Sequence, residues 1–213
     1  MRHIEKGNEP EQLAQWKIKR KVREDWQPEW KRLKKKVKDT VMDSLLAEQG
    51  EICCYCYRDV SFSDRHVEHF RPQEKFKVQR FDYQNMLVSC QADKNPGEPW
   101  HCGYAKGDWF EEEMLISPLD KGCEHHFRYT AAGCVYPAED SDVPVRVTID
   151  ILDLNTDRLR AMRMEAIDGA LKDIETLSSD EIHGLISGYQ RRNNDGRFTP
   201  FCMAIVHVLS SII

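Results

Sequence analysis

Long apolar runs are missing from this 213-residue chain. A helix crossing a bilayer needs about 20 consecutive apolar residues, and no window supplies them. The first residues, Met1-Arg2-His3-Ile4-Glu5-Lys6, lack the apolar segment of a secretory signal. No internal repeat and no low-complexity tract is present either, which sets aside repeat and linker architectures. These absences lead us to expect a cytoplasmic protein with no membrane partner. In that reducing compartment the eight cysteines are expected as thiols, and metal binding is favoured over a disulfide framework.

What is present is charge, unevenly spread. The apolar fraction of 40% is enough for a packed core, and the length suits one domain or a small core with helical extensions. Net charge is −5, yet residues 17–38 hold eleven Lys/Arg against Glu24, Asp25 and Glu29. That stretch is therefore +8, and the remainder −13. A local cluster of this size, rather than the total, decides whether a phosphate backbone is attracted.

The patterning predicts an α+β fold in four parts: an arm and basic helices over 1–50, a cysteine-rich core over 51–115, a hairpin and loop over 116–150, and helices over 151–213. Pro10 is placed in the first turn of a helix. Trp30, Leu33, Val37, Val41 and Leu45 make one stripe, predicting a single helix over 29–49 stopped by Gly50. A strand is predicted over 51–58 with its partner over 64–71, a turn or short helix over 82–89, and a helix start near 101–102. Residues 126–137 read as a hairpin and 145–149 as a short strand. Thr156 or Asn155 caps the next helix, and Ser179-Asp180 opens another. The apolar Ala204, Ile205, Val208, Leu209 and Ile212 read either as core or as a docking face.

Chemistry concentrates between residues 53 and 110. Cys53-x-x-Cys56 can aim two thiolates at one point, and Cys90 and Cys102 can complete a closed tetrahedral Zn²⁺ site. A redox CxxC is the rival, but no βαβ pattern surrounds it. Cys54 reads as an ordinary buried thiol and Cys202 as core. Cys123, His125, His126 and Cys134 form a weaker second candidate. Between the cysteine pairs lie Glu68-His69 and Asn85. A neutral imidazole can take a proton from water, and a nearby carboxylate can hold Mg²⁺. Neighbouring strand residues point to opposite faces, so the two reach one cleft only where the strand ends or bulges, as Pro72 suggests.

The order Cys-x-x-Cys, Glu-His-x-x-Pro, Asn, Cys, Cys-x-x-x-Lys resembles the HNH, or ββα-metal, endonucleases. More narrowly, Val67-Glu68-His69-Phe70-Arg71-Pro72, Asn85-x-Leu87-x-Ser89-Cys90 and His101-Cys102-Gly103-x-x-Lys106-Gly107 resemble the HNH nuclease subunits of Septu and Septu-like retron anti-phage systems. Ile4-x-Lys6-Gly7-x-Glu9-Pro10 fits the same subgroup. The resemblance implies a small zinc-stapled ββα-metal core, with Cys53, Cys56, Cys90 and Cys102 on zinc. It implies His69 as general base, Glu68 as ligand of a catalytic Mg²⁺ or Mn²⁺, and Asn85 as the residue orienting the imidazole. Many relatives carry His or Asn where this chain has Gly103; His101, or less directly Asp108, would take that place. Lys31, Arg32, Lys34, Lys35, Lys38, Arg71 and Lys106 would contact nucleic acid, most simply DNA. His66 matches no family position and reads as a surface residue. A companion ATPase is implied, and in the retron case a reverse transcriptase with its RNA/DNA. A zinc-stapled binding or assembly module without catalysis would explain the cysteines and the basic stretch, but not Glu68, His69 and Asn85.

Overall fold

The computed structural model of the chain describes every residue except 24, 63 and 92–96. Glu24 of the charge count and part of the loop between Cys90 and Cys102 therefore lie outside the described residues. Helix α1 (Glu11–Arg20) starts immediately after Pro10, whose carbonyl accepts from Leu13 and Ala14. Pro10 is thus the N-cap rather than a first-turn residue.

The predicted helix over 29–49 is broken in two. Trp30–Arg32 forms a single 3₁₀ turn, Leu33 and Lys34 are extended, and helix α2 runs over Lys35–Gln49. The break lets Leu33 stay buried while Trp30 turns to stack on Phe81. Val37, Val41 and Leu45 bury as the stripe predicted. Gly50 ends α2 with φ 60°, and an added Cβ would lie 2.6 Å from the Phe198 ring. Gly50→Ala should therefore lower stability by about 1–3 kcal/mol, the usual cost of a non-glycine residue held in a sparsely populated conformation. A denaturant melt checks this, and an unchanged midpoint would contradict it.

No strand forms over 51–58; Ile52 and Asp59 make an isolated bridge around a turn. Strand β1 (Arg65–His69) instead pairs antiparallel with β2 (Met86–Cys90), in the segment predicted as a turn or helix. The register sets His66 opposite Ser89, Glu68 opposite Leu87 and His69 opposite Met86. A lone two-stranded ribbon is marginal in water, so the far edge of β2 needs partners. Gln49 supplies them: its side chain donates to the Val88 carbonyl (3.0 Å) and accepts from the Val88 amide (2.7 Å). The Cys54 amide also donates to the Val88 carbonyl (3.0 Å). Every residue of β2 is buried. A short helix, α3 (Cys102–Lys106), follows.

The N-terminal arm is clasped to this unit through Glu48 on α2. Its carboxylate accepts from Lys6 (2.6 Å), the Gly7 amide (2.9 Å) and the Tyr83 hydroxyl (2.7 Å). Strands β3 (Phe127–Tyr129) and β4 (Val135–Pro137) form the predicted hairpin. Residues 145–149 are not a strand but lie in helix α4 (Val143–Ile151), capped by the Asp142 carboxylate and opened by Pro144. Helix α5 (Asp157–Leu171) is capped by Thr156, α6 (Ser179–Tyr189) by a Ser178–Glu181 capping box. In α7 (Cys202–Ser210) Ala204, Ile205, Val208 and Leu209 are buried. Those residues are core rather than an open docking face; Ile212 lies beyond the helix and is half exposed. No described helix is long and apolar enough to cross a membrane.

Candidate metal centre and adjoining cleft

The turn after α2, the end of β2 and the start of α3 deliver four cysteines to one point. The sulfurs of Cys53, Cys56, Cys90 and Cys102 all lie within 4.8 Å of one another, all buried, and none is in a disulfide. Cys56 and Cys90 sulfurs are 3.7 Å apart, close to the roughly 3.8 Å edge of a tetrahedron with metal–sulfur bonds of about 2.3 Å. Burial pushes the Cys53 thiol up, but hydrogen bonds from Cys102, Cys54, Cys56 and Cys90 outweigh it and bring it well below the ordinary value. Cys102 is held well above it by burial and by the Cys53 sulfur. A divalent cation bound at this point would let every thiol ionise. The donor set fits a closed, zinc-type site. Cys102 itself has left-handed backbone (φ 57°), a strained conformation for a non-glycine residue, and its amide is fixed by the Leu152 carbonyl at 2.7 Å.

His101 belongs to this cluster and not to the cleft beside Glu68. Its Nδ1 lies 3.2 Å from the Cys102 sulfur and 3.6 Å from that of Cys90, and its amide donates to Gln91 at 2.7 Å. As N-cap of α3 it is drawn towards the sulfurs that open the helix, so sequence nearness to Gly103 misplaced it. The second candidate set does not close: among the described residues only the four-sulfur group reaches metal-binding proximity. Cys123 sits beside Glu124, and His126 pairs with Asp142.

Glu68 and His69 leave β1 in different directions but border one cleft of about 220 Å³, together with His66, Gly103, Tyr104 and Asp108. Both are 6% exposed. The Glu68 carboxylate divides its work. Oε1 accepts from the Tyr55 hydroxyl (3.1 Å) and pairs with Lys106 Nζ (2.9 Å), while Oε2 faces His66 Nε2 at 3.7 Å. Burial would raise its carboxyl, but His66 and Lys106 overcome that and hold it below the usual range. Lys106, expected at phosphate, is buried instead. Its ammonium donates to the carbonyls of His69 (3.1 Å), Phe70 (3.3 Å) and Gly107 (3.4 Å) as well as to Glu68. It therefore ties α3 to the end of β1.

The His69 Nε2 lies 3.0 Å from the Arg80 carbonyl. A carbonyl only accepts, so Nε2 carries the proton and the lone pair of the neutral ring sits on Nδ1. Burial keeps the imidazole below its ordinary pKa. The Trp30 ring meets it edge-on at 5.0 Å. Arg80 is itself buried and fixed by the Pro28 (3.0 Å) and Gln73 (3.2 Å) carbonyls. Asn85, expected to orient the imidazole, holds the backbone beyond it. Its Oδ1 accepts from the Arg71 amide (2.8 Å) and its Nδ2 donates to the Arg71 carbonyl (2.9 Å). The carbonyl that orients the ring comes from Arg80, a residue that no sequence signal marked. Tyr55 was likewise missed.

Of the basic residues, Lys31, Arg32, Lys34 and Lys35 are exposed, with Lys31 paired to Glu29 and Lys35 to Asp39. Lys38 lies 5.9 Å over the Trp30 ring, and that ring reaches His69. Arg71 pairs with Glu112 beside Phe110.

No protein-family model matches the chain. A 139-residue stretch, 62% of this chain, is 31% identical to a protein of Vibrio cholerae serotype O1 biovar El Tor named "Retron Vc95 putative HNH endonuclease". The match covers 65% of that protein, just under two thirds of its length.

Proposed function

We propose that this chain is a metal-dependent HNH endonuclease that hydrolyses phosphodiester bonds, with DNA as its substrate. The observation that carries the reading is the anchoring of His69 Nε2 on the Arg80 carbonyl, which leaves Nδ1 as the basic nitrogen of a side chain bordering the same cleft as Glu68. In this reading the four sulfurs bind zinc as a structural staple. Glu68 holds a catalytic Mg²⁺ or Mn²⁺, which when bound supplies charge neutralisation at the phosphate and at the departing oxygen. His69 Nδ1 takes a proton from water as the water oxygen bonds to phosphorus. The P–O3′ bond breaks, and the leaving oxygen takes a proton from solvent. Asn85 and Lys106 keep the chain around His69 in place. Lys31, Arg32, Lys34, Lys35, Lys38 and Arg71 hold backbone phosphates, a contact that positions nucleic acid without reading sequence, so little sequence preference is expected.

The relative's name supports a retron setting, and the motifs support a nuclease subunit of a Septu-like complex with an ATPase and, in a retron, a reverse transcriptase. The test is nicking of supercoiled plasmid by the zinc-loaded chain, alone and with its neighbour-encoded proteins, in Mg²⁺ or Mn²⁺ against EDTA. Cleavage that requires the added metal is expected. Cleavage indifferent to EDTA, or none under any of these conditions, would overturn the reading in favour of a binding or assembly subunit.

A further inference from the structure

The family position that would supply a helix-borne metal ligand is glycine here, and the space is not empty. A Cβ built on Gly103 would lie 2.5 Å from Glu68 Oε2 and 2.9 Å from His66 Nε2. Two side chains of β1 therefore converge on the spot that a side chain at 103 would fill. They do so because His66 and Glu68 are two apart on a strand and share a face. His66 is held there by the Tyr104 ring, 4.3 Å away between centroids.

We propose that His66 Nε2 and Glu68 Oε2 are the two protein ligands of a divalent transition-metal ion, with His66 taking the role that a side chain at 103 would otherwise have. This inference rests on the nuclease reading above and adds the ligand which that reading lacked. The separation of 3.7 Å is too long for a hydrogen bond and makes an ion pair only with a protonated His66; with a neutral imidazole the two atoms face each other as lone pairs. That distance suits two electron-rich atoms on one cation, each bond being about 2.1 Å. Glu68 Oε1 is already engaged by Lys106 and Tyr55, which leaves Oε2 for the ion. An imidazole ligand shifts preference from Mg²⁺, a hard ion that favours oxygen, towards borderline first-row metals. The remaining positions would be open to water and phosphate.

Mn²⁺ titrated into the zinc-loaded chain, with free ion counted by electron paramagnetic resonance, tests this without reference to cleavage. Wild type should bind one Mn²⁺, and Mg²⁺ should displace it only at a large excess. His66→Ala should weaken Mn²⁺ binding by at least about tenfold, the lower range for losing a group that shapes a metal site, and should reduce the preference over Mg²⁺. Gly103→Ala, made separately, should weaken it too by pushing a methyl group between the two ligands. Equal Mn²⁺ affinity in wild type and His66→Ala overturns the assignment of His66. If cleavage still requires metal in that protein, the nuclease reading stands without it. No Mn²⁺ bound by wild type overturns the site. Should His66→Ala fail to fold, Gly103→Ala alone decides: unchanged affinity sinks the proposal.

Discussion

Replacing His69 with alanine should slow phosphodiester cleavage by about 10²–10⁴-fold, the range for losing a positioned general base. The effect follows from the tautomer: with Nε2 committed to the Arg80 carbonyl at 3.0 Å, Nδ1 is the nitrogen able to accept a proton. The same substitution leaves that buried carbonyl unpaired, which costs about 1–3 kcal/mol. His69→Ala should therefore melt several degrees lower yet remain folded and retain zinc. The rate of supercoiled plasmid loss, measured well below both melting temperatures, separates chemistry from stability. A rate within a factor of two of wild type, estimated as about 0.4 kcal/mol of barrier, would remove His69 from the reaction.

Cys102→Ser should have the largest effect on the fold. Structural zinc sites contribute about 10–16 kcal/mol in small domains, against a net stability of about 5–15 kcal/mol for a whole domain. Cys102 starts α3, while Cys90 ends β2 and Cys53 and Cys56 sit in the turn bridging to Val88. Losing the shared ion frees all three pieces at once. The variant should lose bound zinc and the cooperative melting of residues 51–110. Cys202→Ala is the control, because Cys202 lies in α7, outside the four-sulfur group; it should keep its zinc. Equal melting of Cys102→Ser and wild type would contradict a structural ion.

The parts of this architecture that were legible are those written locally. Gly50, Thr156 and the Asp142–Pro144 region all mark helix boundaries. Gly50 reads as a stop and Thr156 or Asn155 as a cap, while the third is hidden by the every-second-residue pattern Val143, Val145, Val147 and Ile149. There the capping carboxylate and a proline at the helix start outweigh a strand-like alternation. The convergence of four cysteines was legible because the residue types admit few other uses in one buried cluster. The pairing of β1 with β2 was not, since alternation identifies a strand but not its partner, and the two are joined through 16 intervening residues counted between their bounds. Site geometry was legible only in part. His101, expected beside Glu68, lies against the Cys90 and Cys102 sulfurs, whereas His66, read as a surface residue, faces Glu68, on the face where the period-two rule puts it. Lys106 reads as a nucleic-acid contact because nothing local announces that Glu68 and three backbone carbonyls will surround it.

The claim on which the rest depends is that one ion, gripped by four thiolates, sets the ribbon and short helix that carry Glu68 and His69. Metal content of the purified wild-type chain, measured by mass spectrometry after dialysis against excess Mg²⁺, tests it directly. One zinc per chain is expected. A chain that is folded without zinc, or one whose Cys53, Cys56, Cys90 and Cys102 are joined as disulfides, would contradict it.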